Sequence, residues 1–227
     1  MEDDRGGAKG AVPGIGLVIL AAGASTRMGV AKQLLAFRGR SLLRHAAEEA
    51  LTSGCHPIVV VLGAHAERLT DEISELPVRV VVNARWSQGM GTSIRAGIEA
   101  LMADPGGDEV AAAVLAVCDQ PFFSAAIVHG LVAAHQRSGS AIVAATYEGT
   151  RGVPALFSRS LFPELAALDG HEGARRVIQS HPDETVVVPF LEGAFDIDTS
   201  EDYTRLAAMA GRGAGFARTG HRVISEG

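Results

Sequence analysis

The sequence predicts an α/β fold with a mainly parallel central sheet and helices on both faces. Short runs rich in Val, Ile, Leu and Ala recur along the chain, which is typical of strands buried on both sides. Segments with helical periodicity fill the gaps between these runs. Strands that alternate with helices form parallel sheets through crossover connections, so the two patterns together set the fold class.

Each aliphatic run is short enough to be one strand. The runs cover residues 16–20, 57–63, 78–83, 111–119, 141–147 and 185–190. The predicted helices follow Ser41, His65, Gly91, Ser124 and Ser200.

Cap residues mark several helix ends. Ser124 is a predicted N-cap, and Gly139 stands where a C-cap glycine ends the same helix. Thr199 and Asp202 resemble a capping box, which fixes the chain directly after Asp198.

Length and composition bound the class of protein. The 227 residues fit one α/β domain at 16–210, between a flexible N-terminal arm at 1–15 and a flexible C-terminal tail at 211–227. The formal charge of −6 argues against general nucleic-acid binding, and no apolar segment approaches the ~20 residues of a membrane span. Cys55 and Cys118 lie far apart. We therefore expect a reduced, cytoplasmic protein that binds neither nucleic acid nor membrane.

The stretch LAAGASTRMG at 20–29 follows the first strand and is the first candidate site. Its small residues leave almost no side-chain volume, so a ligand can approach this backbone closely. Arg27 is the exception, since it carries a guanidinium. A loop of bare N–H groups with an arginine is a suitable cradle for phosphate.

Acidic residues form the second candidate site. Asp119 ends an apolar strand, and Pro121 stops the strand immediately afterwards. Asp196 and Asp198 lie before the last helix, and we expect only one of them to face the crevice at the strand ends. Asp119 and the later acid pair each have a simpler structural explanation, because an Asp also caps helices and is common in their first turns. Two separated carboxylates beside a phosphate loop are what a Mg²⁺–triphosphate site requires.

Five motifs in order resemble one enzyme family. They are LAAGASTRMGVAKQLL, NARWSQGMGTSIRAG, CDQPF, RGVPALF and FDIDTSEDY, and they extend over residues 16–206. Together they resemble the molybdenum cofactor cytidylyltransferases of the MobA-like nucleotidyltransferase superfamily. The resemblance implies a Rossmann-like, nucleotide-diphospho-sugar transferase-like fold. It also implies Mg²⁺-dependent transfer of CMP from CTP to the terminal phosphate of molybdopterin, with release of pyrophosphate and delivery of the product to a molybdenum hydroxylase.

The resemblance assigns roles to individual residues. The backbone of Leu20, Ala21, Ala22 and Gly23 would lie against the base and ribose. Arg27 would hold the β- and γ-phosphates and Lys32 the α-phosphate, while Asp119 and Asp198 would bind Mg²⁺. The catalytic residues implied are Arg27, Lys32 and Asp119.

The loop after the third strand matches the base-recognition region of the family. Asn83 would hydrogen-bond the edge of the base, while Gly89, Gly91 and Ser93 would allow its close approach. Trp86 has no assigned role. The family pattern LAAG favours a cytidine nucleotide over a guanine one.

Alternatives remain at this level. The nucleotide could be another NTP, and the acceptor a sugar phosphate or other small phosphate, particularly because Val153 gives RGVP where relatives have a polar residue. A non-catalytic cofactor carrier is a further reading. A hydrolase or oxidoreductase is disfavoured, since there is no GxSxG and Gly14-Ile15-Gly16 lacks the preceding strand of a dinucleotide-binding fingerprint.

Overall fold

A computed structural model of the chain describes residues 14–26 and 28–213, with side chains as far as residue 209. The predicted arm and tail therefore lie largely outside the described residues, as does Arg27. None of the described helices is long and apolar enough to span a membrane.

A seven-stranded sheet forms the centre of the domain, in the order β5-β4-β1-β6-β8-β7-β9. All its neighbouring strands pair in parallel except at β8, which runs antiparallel to β6 and β7. The strands are β1 Ile15–Ala21, β4 Ile58–Leu62, β5 Arg79–Val82, β6 Ala112–Val117, β7 Ile142–Tyr147, β8 Thr150–Ser158 and β9 Thr185–Pro189. The mainly parallel sheet predicted from the sequence is confirmed.

Helices pack on both faces of this sheet, and a short hairpin stands apart from it. The hairpin consists of β2 Ala36–Phe37 and β3 Arg40–Ser41. The helices are α1 Leu42–Thr52, α2 Ala66–Ile73, α3 Met90–Met102, α4 Ala125–Ser138, α5 Phe162–Ala166, α6 Ala174–Ser180 and α7 Ser200–Gly213.

The strand β1 shows how the two cores arise. Its side chains alternate, so that Leu17 and Ile19 join the core under α1, α2 and α4, while Val18 and Leu20 join the core under α3, α5 and α6. All seven of its residues are buried, which explains the continuous apolar run.

The strand β8 was not predicted, and its composition explains why. It contains Gly152 and Pro154, both of which count against a strand in sequence. The pairing of β7 with β8 shifts between Ala144 and Ala145, which places Pro154 in an irregular region between the partners Gly152 and Ala155. A proline without an N–H is tolerated there because the ladder is already interrupted.

The cap of α4 differs from the prediction in its chemistry. Ser124 occupies the N-cap position, but its side chain makes no capping hydrogen bond. Instead, the Ala125 N–H donates to Oε2 of Glu49 on α1, at 2.8 Å. The predicted C-cap is confirmed, since Gly139 has φ +66° and its N–H donates to the His135 carbonyl.

The last helix brings a distant segment back to the end of β6. Ile197 is fully buried and packs with Leu206, Phe37 and Leu42 in a third cluster. The Ile197 N–H donates to the backbone carbonyl of Asp119 at 3.2 Å. This contact fixes residues 196–198 beside the tip of β6, a position that sequence spacing alone does not determine.

Candidate active site

The candidate site is a cleft of about 400 Å³ at the carboxyl ends of β1 and β6. From β1 the chain first adds β4 and β5 on one side and then returns to add β6 on the other side. In parallel sheets, ligands bind at the carboxyl ends of the strands where the strand order reverses in this way. The predicted residues that line the cleft are Leu20, Ala21, Ala22, Gly23, Lys32, Gly89, Ser93 and Asp119. Trp86, which had no assigned role, lines it as well.

Lys32 joins the two predicted metal-binding acids. Its Nζ donates to Oδ2 of Asp119 at 2.5 Å and to Oδ1 of Asp198 at 3.0 Å. The two carboxylate oxygens are therefore no more than about 5.5 Å apart. The structure thus brings together three side chains that are distant in sequence.

The charge of Lys32 is secured by these contacts. Burial by itself would lower the pKa of the ammonium group, but the charge of Asp119, the hydrogen bond to it and the same effects of Asp198 outweigh burial. The net result is a pKa above the usual value for lysine. Lys32 is therefore a permanent cation at neutral pH.

A third acid lies near this group. The pKa of Asp196 is raised to about 6, because partial burial and then the negative charge of Asp119 disfavour its ionised form. The expectation that only one of Asp196 and Asp198 faces this region is wrong. Residues i and i+2 of an extended segment share one side, and Ile197 between them points into the core.

Gln33 was overlooked by the sequence argument although it follows Lys32. Its side chain is 1% exposed and donates to the backbone carbonyls of Ala21 and Gly23 in the first loop. No sequence signal marked it, since a glutamine between Lys32 and a hydrophobic pair can equally well be exposed. A polar side chain at this position proves to be buried beneath the loop.

Asn83 is placed differently from the expectation that it contacts a base. Its side chain is 5% exposed, and Nδ2 donates to the hydroxyls of Thr92 and Ser93 at 2.8 and 3.0 Å. Its Oδ1 accepts from the Arg85 N–H at 2.9 Å. Both amide hydrogens are committed to the protein, so in this structure Asn83 supports the second loop from behind.

The glycines of the second loop have a protein neighbour rather than open space. A Cβ on Gly89 would lie 1.9 Å from the carbonyl oxygen of Gly170, and one on Gly91 would lie 2.0 Å from that of Asp169. The Gly91 N–H also donates to the Gly170 carbonyl at 3.2 Å. The close approach expected for a nucleotide is here made by the segment between α5 and α6.

Hydrogen bonds link the residue after Asp119 to the RGVP motif. Gln120 is 2% exposed, and its Nε2 donates to the carbonyls of Val153 and Gly193 at 3.2 and 3.0 Å. The Tyr147 hydroxyl donates to the same Val153 carbonyl at 3.3 Å. The backbone carbonyl of Val153 therefore links Gln120 and Tyr147, while its side chain packs on the core.

Comparison with known proteins identifies the family. Residues 17–186 match the family described as the MobA-like NTP transferase domain. The chain belongs to this family. It is accordingly a nucleotidyltransferase, as the ordered motifs predicted.

Individual proteins that are similar to this chain match most of its length. A Paenarthrobacter nicotinovorans protein named nicotine blue oxidoreductase is 36% identical over 200 residues, which are 83% of this chain and 94% of that protein. The crystal structure of an Rv0371c homologue from Mycobacterium sp. strain JC1 has a TM-score of 0.73 and 30% identity, covering 87% of this chain and 97% of that one. The manganese complex of Rv0371c from Mycobacterium tuberculosis H37Rv has a TM-score of 0.69 and 27% identity, covering 85% and 97%.

Proposed function

We propose that this nucleotidyltransferase transfers CMP from CTP to the terminal phosphate of molybdopterin or its molybdenum-loaded form, with Mg²⁺ as cofactor and pyrophosphate as second product. The observation that carries the proposal is the contact of Lys32 with both Asp119 and Asp198 beside the loop at residues 20–26. A cation flanked by two acids at a strand-end cleft is suited to a triphosphate and its metal.

The residues fit a magnesium ion that is shared with the nucleotide. Within the described part of the chain, no three His, Cys, Asp or Glu side chains gather into a metal site of their own. The carboxylates of Asp119 and Asp198 meet at Lys32, and Mg²⁺ commonly takes one or two carboxylates together with phosphate oxygens and water. The manganese bound by the mycobacterial neighbour supports a divalent ion in this fold. When bound, the ion would neutralise negative charge on the phosphates.

The chain's own residues would align the reactants. The Ala21–Gly23 backbone would lie against the nucleotide, Arg27 would hold the β- and γ-phosphates, and Lys32 would move to the α-phosphate. A terminal phosphate oxygen of the acceptor forms the new bond to the α-phosphorus, and the bond from that phosphorus to the β-phosphate oxygen breaks. Pyrophosphate leaves with the bonding electrons. No protein nucleophile is required, because a phosphate monoester is already an anionic nucleophile near neutral pH.

The choice of CTP and of a pterin acceptor rests on finer features. Ala22 has a methyl group in the LAAG turn where the guanine-specific pattern has glycine, and it is 8% exposed at the cleft. The acceptor would approach from the side of Gln120, Tyr147 and Asp196. The product would then pass to a molybdenum hydroxylase.

A matrix of nucleotides and acceptors tests the proposal. CTP, GTP, ATP and UTP are each incubated with Mg²⁺ and with molybdopterin, a sugar phosphate or no acceptor, and pyrophosphate release is measured. We expect release with CTP and molybdopterin at a rate at least tenfold above every other pair. Pyrophosphate release with the sugar phosphate and not with molybdopterin would show that the acceptor is a sugar phosphate. Tight CTP binding without release from any acceptor would favour a carrier and contradict the transferase proposal.

The name of the Paenarthrobacter relative raises a redox activity as a second candidate. Gly16 argues against a dinucleotide fingerprint here, because it lies inside β1 and a Cβ on it would lie 2.8 Å from the Leu101 side chain. A parallel assay for NADH and NADPH oxidation with a quinonoid dye tests this candidate. Dye-dependent oxidation without pyrophosphate release would support it against the transferase.

A further inference from the structure

A buried carboxamide lies directly beneath the first loop and is used by none of the steps above. Gln33 belongs to a single turn of 3₁₀ helix, Lys32–Leu34, and is its only buried residue. Its side chain is 1% exposed although it is polar. Polar groups so deeply buried are retained in proteins when their hydrogen bonds are satisfied.

The hydrogen bonds of Gln33 all go to the first loop. Its Nε2 donates to the Ala21 carbonyl at 3.1 Å and to the Gly23 carbonyl at 2.7 Å. Its Oε1 accepts from the Ser25 hydroxyl at 3.3 Å. Because the two carbonyls can only accept, a single orientation of the amide satisfies all three bonds. Gln33 therefore fixes the loop at three points.

Ser25 closes the connection back to Lys32. It has φ +54°, a left-handed conformation that is uncommon for a residue with a side chain. Its Oγ accepts from the Lys32 N–H at 3.1 Å while it donates to Gln33. The loop and the segment that carries Lys32 are thus joined into one unit.

The direction of these bonds affects the other side of the loop. The C=O and N–H groups of a trans peptide point in opposite directions. With the carbonyls of Ala21 and Gly23 turned towards Gln33, the N–H groups of Ala22 and Ala24 point away from it. Among the described residues, no atom beyond the two chain neighbours of Gly23 lies within 4 Å of the position of a Cβ on it.

We infer that Gln33 is a positioning residue for nucleotide binding. It holds the Ala21–Ser25 loop in the conformation that receives the nucleotide and keeps that loop in register with Lys32. The inference rests on the function proposed above and extends it to a residue that is not among the groups proposed to hold the substrate. Its physical basis is preorganisation, since a chain of small residues that is ordered beforehand loses less entropy when the ligand binds.

The test replaces Gln33 with methionine, which keeps an unbranched side chain and removes every hydrogen bond. The ligand is CTP with Mg²⁺, its Kd is measured by calorimetry, and Trp86 gives a second signal as the only tryptophan and a residue of the cleft wall. We expect the Kd to rise by about tenfold or more. In turnover, KM for CTP should rise by a similar factor, while kcat at saturating CTP should change by less than about threefold.

Ser53→Ala is the matched control. Ser53 is also 1% exposed, and its Oγ donates to the Ala50 carbonyl and accepts from the Cys55 N–H, but it lies outside the cleft. The control should lower the unfolding temperature and leave the Kd for CTP unchanged. A merely structural role for Gln33 would give the same pattern in Gln33→Met and would overturn the inference.

Ser25→Ala supplies an independent variant that leaves the core unaltered. It removes the hydroxyl that joins Gln33 to the Lys32 N–H, and we expect a rise in Kd of about threefold to tenfold. If Gln33→Met does not fold, an unchanged Kd in Ser25→Ala overturns the inference. Failure of wild-type protein to bind CTP with Mg²⁺ would count against the proposed function itself, whereas equal binding by wild type and variants would count only against Gln33.

Discussion

Two loops rich in small residues face each other across the cleft, and the same composition serves different purposes in them. In the first loop, a Cβ on Gly23 would meet no other part of the described chain within 4 Å. In the second loop, Gly89 and Gly91 are pressed against the backbone of residues 169–170, at distances that no Cβ could occupy. Small residues thus permit close approach in both loops, but the approaching group is a candidate ligand in one and the protein itself in the other. A glycine-rich motif therefore marks contact with a backbone and does not say with what.

The largest expected effect concerns the acid beside the first loop. Asp119→Asn should lower kcat by about 10²–10³-fold, because it removes a charge that holds Lys32 and that would bind the metal. Pyrophosphate release measures this effect, and thermal unfolding checks that the fold persists. Asp108→Asn is the control, since that carboxylate is fully exposed and lies beyond the cleft. Near-normal turnover in a folded Asp119→Asn protein would remove Asp119 from the mechanism.

The second effect distinguishes the loops by stability. Gly89→Ala should lower the free energy of unfolding by about 3 kcal/mol, because its φ of +115° disfavours a side chain and the new methyl would meet the Gly170 carbonyl. Urea unfolding measures the loss. Gly139→Ala isolates the backbone contribution, since that glycine has φ +66° and a Cβ on it would meet no described residue within 4 Å, and should cost about 1 kcal/mol. Equal losses in both variants would mean that the 169–170 segment does not press on the second loop in solution.

The third effect concerns the first loop, where we expect a substitution to weaken nucleotide binding without lowering stability. Gly23→Ala should leave stability unchanged or raise it by about 0.5 kcal/mol, because the residue has no left-handed conformation and the new methyl would meet none of the described residues within 4 Å. Its Kd for CTP with Mg²⁺ should nevertheless rise about tenfold, since the methyl would stand where the nucleotide approaches. Calorimetry and urea unfolding on the same preparation give both values. An unchanged Kd would place the nucleotide away from this loop.

The smallest effect depends on pH and concerns α5 and α6, the helices on either side of the segment that covers the second loop. His181 at the end of α6 contacts Glu164 at 2.7 Å and Glu184 at 3.3 Å, and the hydrogen bond to Glu164 contributes most to raising its pKa. A raised pKa stabilises the fold fully below about pH 6.5, and the stabilisation is lost as the pH rises through the raised value. For these partly exposed groups, which solvent screens, we expect less than about 1 kcal/mol. The stability difference between wild type and His181→Gln should therefore shrink as the pH increases, and a pH-independent difference would contradict the ion pairs.

The sequence predicted the parallel strands because each is a continuous apolar run, a local signal. It did not predict β8, since the evidence against a strand, Gly152 and Pro154, is local while the bulge that accommodates Pro154 depends on the neighbouring β7. Strand pairing is a tertiary property.

In the candidate site, too, some residues could be predicted from the sequence and others depend on the fold. Motif order singled out Lys32, Asp119 and Asp198, and the fold brings them together. Gly89 meets the 169–170 segment, which lies outside its own motif. Asn83 bonds Thr92 and Ser93 within its motif, but only because the folded loop returns to it, and the motif letters do not specify that turn. Gln33 was missed because nothing in sequence distinguishes a buried glutamine from an exposed one.

The central claim, that the first loop and Lys32 receive a nucleoside triphosphate, is tested most directly by a crystal structure with Mg²⁺ and a non-hydrolysable CTP analogue. The account predicts that Lys32 Nζ lies within hydrogen-bonding distance of an α-phosphate oxygen and that the Ala21–Gly23 backbone contacts the nucleotide. An analogue bound elsewhere, with Lys32 still joining Asp119 to Asp198, would contradict it.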